Sequence, residues 1–284
     1  MKFVSKDIPE GINNPKQSLL YDAFLLIASL AIIGASLFFI INRFSDDIVE
    51  LLPDSMSSIE LPEKELKERL EIKSDKEIDQ YHKELLDAFI SKNNALAKMK
   101  LEVYFSCSQI PNAFALPGNK IIINRGLYSL IESKSSLLFI LAHEIAHHSH
   151  KHILKRLVRL LGTGSLISII SFGDSYLGSI INNTTQLISL KYSRDHENEA
   201  DETAIKILKN SNIPLNGAGE FFKKMSQSPN ESLKEEKNSL NTIFSTHPLT
   251  DKRIERIENH IRHKKAQNIK IEKRILERIK AVCD

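Results

Sequence analysis

Two histidines and a glutamate lie close together in LAHEIAHHSHKH, which spans residues 141–152. His143 and His147 are four residues apart, and Glu144 follows the first of them. On a helix, residues at this spacing share one face, so both imidazoles can bind one metal ion. A carboxylate beside such a pair can take a proton from a water molecule that the metal activates. The spacing predicts a hydrolytic site with one Zn²⁺ per chain.

Three further histidines of this segment are poor candidates for metal ligands. On a straight helix, His148 and His152 lie about 100° and 140° around the axis from His147. His150 returns to the face of His143 and His147, but one metal ion cannot easily be reached from three positions spread over about 10.5 Å. The remaining protein ligand is therefore expected elsewhere in the chain.

The segment KYSRDHENEADETA, residues 191–204, is the best source of that ligand. On a helix, Glu197 and Asp201 share a face, so a ligating carboxylate would have a second acid one turn away to support it. His196 and Glu199 are chemically eligible alternatives. Because acidic residues on helices are usually just solvated, the residues alone leave this choice open.

Four segments, in order along the chain, resemble the successive motifs of metallopeptidase family forty-eight. They are NAFALPG at 112–118, LAHEIAHHSHKH at 141–152, YSRDHENEAD at 192–201 and STHPLTDKRI at 245–254. This is the gluzincin family of the CAAX prenyl proteases, the HtpX-like membrane proteases and the BepA-like enzymes. The likeness covers about residues 78–257 and is greatest to the BepA-like and Oma-like branch.

The resemblance implies a role for individual residues. Glu197 would be the third zinc ligand, and Asp201 would support it. Glu144 would be the general base. His247 would lie near the metal, where it would stabilise the oxyanion or cap the site at rest, and Arg253 would lie beside the substrate or beside His247.

The segment that begins at Asn112 has two interpretations. The residues NAFALPGNKIIIN, 112–124, indicate an extended segment, a turn and a second strand, which is a simple hairpin. The resemblance adds that the edge of this hairpin aligns an extended substrate strand through backbone hydrogen bonds, with Asn112 on the substrate side.

The remaining periodicity predicts a mainly helical α+β fold with a small β-sheet or hairpin, and the resemblance implies that this fold is of the zincin type. Residues 101–105 and 120–124 have strand-like patterns. Residues 78–98, 183–210 and 250–284 have helical patterns. The net charge of +3 is too small to indicate a nucleic-acid partner.

Residues 23–41 form an uncharged run of nineteen residues, long enough as a helix to cross a bilayer. A cleaved signal peptide usually has a shorter apolar region, so an uncleaved anchor is favoured. Lys2, Lys6 and Lys16 precede the run, whereas Arg43 and an acidic stretch follow it. The positive-inside rule then predicts a cytoplasmic N-terminus and a catalytic domain on the extracytoplasmic side of the inner membrane.

The predicted organisation has five parts. They are a short cytoplasmic tail (1–22), the transmembrane anchor (23–41), a charged linker (42–76), the zinc metallopeptidase domain (77–260) and a basic C-terminal helix (261–284). Residues 160–181 are apolar, but Asp174 near the centre favours a hydrophobic hairpin over a second span. Residues 226–240 are polar and indicate a loop.

Cys107 and Cys283 occur in no metal-binding spacing. Two unpaired thiols are the favoured interpretation, and a single bridge between them is the alternative.

Together these features predict a membrane-anchored zinc metalloendopeptidase that acts on protein substrates, which the resemblance suggests are misfolded envelope or membrane proteins. One alternative is a chaperone-like or adaptor factor of protein quality control with latent protease activity. Another is a structural zinc protein, which would need four protein ligands and no exchangeable water. The sequence does not predict an oligomeric state.

Overall fold

The computed structural model describes residues 19–51, 62–131, 133–161, 188–189, 191–226, 246–261 and 269–284. Residues 1–18, most of the predicted hydrophobic hairpin and nearly all of the predicted polar loop lie outside the described residues. The chain divides into two compact units, residues 1–45 and 46–284.

Helix α1 extends from Leu19 to Glu50. Its first part, Leu19–Ile40, is long and apolar enough to cross a membrane, and none of that stretch is buried. Exposed side chains such as Phe24, Leu30 and Phe39 would form a large apolar surface in water, which soluble proteins rarely tolerate. The prediction of one apolar N-terminal helix of membrane-spanning length is confirmed.

The second unit contains a four-stranded sheet in the order β1-β2-β4-β3. The strands are β1 (Ile72–Lys73), β2 (Glu102–Ser106), β3 (Ala113–Leu116) and β4 (Lys120–Asn124). β2 and β4 are parallel, and the other pairs are antiparallel. Between β3 and β4, Gly118 and Asn119 have positive φ angles of 81° and 58°, which glycine and asparagine adopt at least cost. Because β3 is last in the strand order, it lies at the edge of the described sheet, and it forms a hairpin with β4 as the pattern predicts.

The second unit contains ten further described helices. They are α2 (Glu63–Arg69), α3 (Lys76–Ile90), α4 (Asn94–Lys98), α5 (Arg125–Leu130), α6 (Lys134–Ser149), α7 (His152–Leu161), α8 (Arg194–Asn210), α9 (Asn216–Ser226), α10 (Asp251–Ile261) and α11 (Lys273–Cys283). The mainly helical α+β prediction is confirmed.

Helix α6 is the central element. All its residues from Ser135 to His148 are buried, because α8, α9 and β3 pack around it. A helix covered on all sides can present polar side chains only to other parts of the protein. The polar residues of α6 must therefore find partners inside the domain.

Part of the segment predicted as a charged linker (42–76) is packed into the second unit. Leu66 of α2 and Ile72 of β1 are buried, and β1 pairs with β2. The folded unit thus includes residues before position 77. Because most of this segment is charged, its sequence pattern does not reveal the two apolar side chains that anchor it.

The two cysteines form a disulfide bond between Cys107 and Cys283, so the favoured prediction of unpaired thiols is wrong. Cys107 follows β2 directly, and α11 packs against α3, which itself packs on β2. This packing brings the two Cα atoms to 5.4 Å across a sequence separation of 176 residues. Such a long-range pairing leaves no signal in cysteine spacing.

Candidate metal centre and active site

Four side chains from three parts of the chain converge beside α6. His143 and His147 come from α6, Glu197 comes from α8, and His247 lies just before α10. One nitrogen or oxygen atom of each lies within 4.8 Å of the others, and all four residues are buried. We call these four residues the metal group. His143 and His147 were expected here from their spacing, and Glu197 and His247 from the resemblance.

The donor atoms of this group face one another closely. The Nε2 atoms of His143 and His147 are 3.1 Å apart, and each lies 3.5 Å from an oxygen of Glu197. Nδ1 of His247 lies 3.0 Å from Glu197 Oε1 and 3.3 Å from His143 Nε2. Imidazole nitrogens and a carboxylate are donors that zinc prefers. The chemistry of this set fits a zinc ion.

Glu144 lies next to this group without belonging to it. Its Oε1 is 3.6 Å from His247 Nε2, and its Oε2 has no hydrogen-bond partner among the described residues. Burial raises the pKa of this carboxyl group above its usual value. A carboxylate with a raised pKa and a free oxygen is suited to accept a proton.

Arg253 joins two carboxylates behind the four-residue group. Its guanidinium donates to Asp201 at 2.6 and 2.9 Å, contacts Glu197, and donates to the carbonyl of Pro248 at 2.9 Å. Burial raises the pKa of Glu197, but His247 and Arg253 outweigh this and hold it well below its usual range. Arg253 thus keeps Glu197 ionised and holds the segment that carries His247.

Asp201 also supports one histidine of the group. Its Oδ1 lies 3.0 Å from Nδ1 of His143, the ring nitrogen that faces away from the other donors. Metal-bound histidines usually have such a partner on the far nitrogen, because it fixes the ring and its tautomer.

The sequence-based rivals for the metal face other partners. His148 Nε2 lies 3.1 Å from the carbonyl of Lys120, and His150 Nδ1 lies 3.0 Å from Glu199. His196 Nε2 lies 3.2 Å from Asp46. None of these histidines, nor Glu199, belongs to the converging group.

The expectation that His152 points away from the site is wrong. It assumed one straight helix, but α6 ends at Ser149, Lys151 has a φ of 54°, and α7 begins at His152. This break places His152 Nδ1 only 2.9 Å from Nδ1 of His147. His152 is not in the converging group, but it contacts one of its members.

Tyr192 is a residue of this site that the sequence reasoning missed. Its buried ring stacks on His147 at a centroid distance of 3.7 Å, and the Arg156 guanidinium lies 4.1 Å from the tyrosine centroid. Stacking of this kind restricts rotation of the histidine ring. The segment YSRDHENEAD contains Tyr192, but no spacing rule marks a stacking residue.

A mostly apolar cavity opens beside Glu144 and His143. Its apolar lining includes Leu127, Phe139, Ile140, Phe221, Phe222 and Leu249. Asn112 and Ala113, at the start of β3, also line it. Asn112 is buried, and its Oδ1 has no hydrogen-bond partner among the described residues. The arrangement can accept an apolar side chain and offers an amide group at the edge of the cavity.

Comparison with known proteins agrees with this geometry. The sequence profile of Peptidase family M48 matches residues 73–261. Mitochondrial metalloendopeptidase OMA1 of Schizosaccharomyces pombe is 24% identical over 166 residues, which are 58% of this chain and 48% of that protein. Beta-barrel assembly-enhancing protease of Escherichia coli K12 is 26% identical over 155 residues, 50% of this chain and 31% of that protein.

A third relative is matched over more of its length. Protease HtpX homolog of Campylobacter curvus is 25% identical over 201 residues, 58% of this chain and 69% of that protein. The chain spans half or less of the length of the OMA1 and beta-barrel assembly-enhancing relatives.

Proposed function

Because the chain belongs to peptidase family M48, we propose that it is a membrane-anchored zinc metalloendopeptidase that hydrolyses peptide bonds in protein substrates. The observation that carries this proposal is the convergence of His143, His147 and Glu197, with Glu144 beside them at an apolar cavity. The metal group alone would not support catalysis, because without an adjacent base and cleft it would be equally consistent with a structural role.

His143, His147 and Glu197 would hold the metal. Zinc bound there would supply a Lewis acid that polarises the scissile carbonyl and makes a water molecule more acidic. The ionised state of Glu197, which Arg253 and His247 favour, suits a ligand to a divalent cation.

Glu144 would move the proton. A free oxygen of its carboxylate would accept a proton from the attacking water and then deliver it to the nitrogen of the leaving amine. The raised pKa supports both halves of this transfer, since an acid closer to neutral pH can both accept and release a proton.

His247 would have two positions. Here its Nδ1 lies with the donor atoms of the other three residues, and a zinc ion held by all four would be closed to substrate. Catalysis would therefore require His247 to withdraw, after which an N–H of its ring could stabilise the oxyanion.

Protein substrates would bind in extended form. β3 is the edge strand of the described sheet, but all four of its residues are buried, so its outer edge would pair with a substrate backbone only after it is uncovered. Asn112 can bond to a peptide group, and the apolar cavity can take an apolar side chain. Unfolded chains expose both the backbone and apolar side chains. This supports a role in quality control of misfolded envelope or membrane proteins, as does the name of the beta-barrel assembly-enhancing relative.

The catalytic unit would lie outside the cytoplasm. The lysines before α1 favour a cytoplasmic N-terminus. The Cys107–Cys283 disulfide is an independent argument, because such bonds persist in oxidising compartments and are rare in the cytosol.

A structural zinc protein is the second candidate, and the fourth donor His247 favours it. A quality-control binding factor with latent protease activity is a further alternative. It predicts that the Glu144→Gln variant retains full cellular function.

Metal removal and restoration test the proposal. The full chain, purified in detergent, is assayed with unfolded casein after chelation and after return of Zn²⁺. We expect cleavage to disappear with the metal and to return with about one Zn²⁺ per chain. Cleavage that survives complete metal removal would refute the zinc mechanism. A chain that retains zinc but cleaves no unfolded protein would favour the structural alternative.

A further inference from the structure

The far nitrogen of His147 begins a short series of polar contacts. Nδ1 of His147 is 2.9 Å from Nδ1 of His152. Nε2 of His152 is 3.1 Å from Oε2 of Glu199 on α8. His152 is fully buried, whereas the Glu199 side chain is about half exposed, at 48%. The series thus runs from the metal group to the protein surface.

The chemistry of Glu199 fixes the direction of each hydrogen bond. A carboxylate only accepts, so Nε2 of His152 must donate to it. A neutral imidazole has one donor and one acceptor, so Nδ1 of His152 then accepts from Nδ1 of His147. The remaining nitrogen of His147, Nε2, keeps its lone pair and faces the other donors of the group.

We propose that His152 and Glu199 are positioning residues that hold His147 in the tautomer and orientation required for metal binding. This inference rests on the proposed zinc site. His143 and His147 would then each have a carboxylate that supports the far nitrogen of the ring. Asp201 contacts His143 directly, whereas the carboxylate of Glu199 acts on His147 through His152.

Packing holds both members of the series in place. The His152 ring stacks on His196 at a centroid distance of 4.1 Å, and His196 Nε2 lies 3.2 Å from Asp46 Oδ2. The second oxygen of Glu199 lies 3.0 Å from Nδ1 of His150. Neither the ring nor the carboxylate can turn away without the loss of these contacts. The packing contacts thus hold His152 and Glu199 in place. The break in the helix after Ser149 brings His152 back towards His147.

Zinc affinity of the full chain, measured by competition with a chelator, tests the role of His152. His152→Phe keeps a ring but removes the acceptor, and we expect zinc to bind about 10–100-fold more weakly. His152→Asn places an amide oxygen near the position of Nδ1 and should restore most of the affinity. Wild-type affinity in His152→Phe would overturn the proposal, and so would equal loss in the Phe and Asn variants.

Glu199→Ala tests the role of Glu199 in the support of His147. Because Glu199 is half exposed, this variant provides the test if His152→Phe does not fold. Its matched control is Glu202→Ala, which removes an exposed carboxylate from the same helix. We expect about tenfold weaker zinc binding in Glu199→Ala and no change in the control. Equal affinities in the two variants would overturn the inference alone, provided that the wild-type chain binds zinc. A wild-type chain that binds no zinc would overturn the metal site itself.

Discussion

The charged side chains of the site are buried, and each depends on a neighbour of opposite charge. Glu197 and Asp201 are fully buried carboxylates, and Arg253 is the cation that contacts both. A buried ion pair adds little net stability, but removal of one partner leaves an uncompensated buried charge. The geometry of the metal group therefore depends on a residue outside it.

Arg253→Met should lower the free energy of unfolding by about 3–5 kcal/mol, because two buried carboxylates lose their cation. Denaturant unfolding of the metal-free chain measures this. The matched control is Arg256→Met on the same helix, where the arginine is partly exposed and bonds to Asn198. The control should lose about 1 kcal/mol or less. Equal losses in the two variants would contradict the proposed role of Arg253.

The sequence predicts the role of a site residue where its partner lies only a few residues away along the chain. Four-residue spacing on one helix is sufficient to pair His143 with His147, because helix periodicity fixes their relative direction. His247 lies 104 residues from His143 along the chain and was found through resemblance alone. Helix periodicity does not predict the contact of His152 with His147, because the helix breaks at Lys151, whose φ is positive.

The C-terminal helix α11 is fixed to the rest of the domain at two points. The disulfide ties its last residue, Cys283, to the end of β2. Arg278 donates to Asp75, which also accepts hydrogen bonds from the first turn of α3. Ile275 and Ile279 of the same helix are buried. α11 is thus part of the domain core, although its sequence is strongly basic.

Removal of the disulfide should destabilise the domain. Cys107→Ser/Cys283→Ser, or reduction of the wild-type chain, should lower the free energy of unfolding by about 2–5 kcal/mol. Denaturant unfolding with and without reductant measures this. The double variant is its own control, because reductant should not change it further. Unchanged stability of the wild-type chain after complete reduction would contradict this prediction.

Asp75 should make stability depend on pH. The hydrogen bond with Arg278, together with those from the backbone of α3, lowers the pKa of Asp75 in the folded state. The stabilisation is therefore present above the unfolded pKa, about 3.9, and is lost as pH falls through the lower folded value. Asp75→Asn keeps an acceptor for α3 but removes the charge.

The wild-type chain should be more stable than Asp75→Asn at pH 7, and the difference should vanish at a pH below the folded pKa of Asp75. Unfolding curves of both chains over this pH range provide the measurement. A difference that persists unchanged under acid conditions would show that the charge of Asp75 is not its cause.

Element boundaries were predictable where a pattern is short-range. The strand expected at residues 120–124 agrees with β4, and the turn before it agrees with the Gly118 and Asn119 backbone. β1 has only two residues, too few for any alternation to be recognised. The Cys107–Cys283 pairing depends on the packing of α11, which sequence spacing cannot encode.

In the full chain, an apolar helix of membrane-spanning length precedes a compact unit with a disulfide. We predict that protease added to intact bacterial spheroplasts degrades this unit, because both the lysine distribution and the disulfide favour its extracytoplasmic location. Alkylation should label Cys107 and Cys283 only after reduction. Full protection of the unit in intact spheroplasts, with digestion only after lysis, would refute this orientation.

Glu144 is expected to transfer the proton at the zinc site. The most direct measurement is the initial rate of casein cleavage by the full chain at equal zinc content, for wild type, Glu144→Gln and the exposed-site control Glu65→Gln. We predict that Glu144→Gln retains zinc but cleaves at least about 100-fold more slowly, whereas the control matches wild type. Equal rates for wild type and Glu144→Gln would contradict the account.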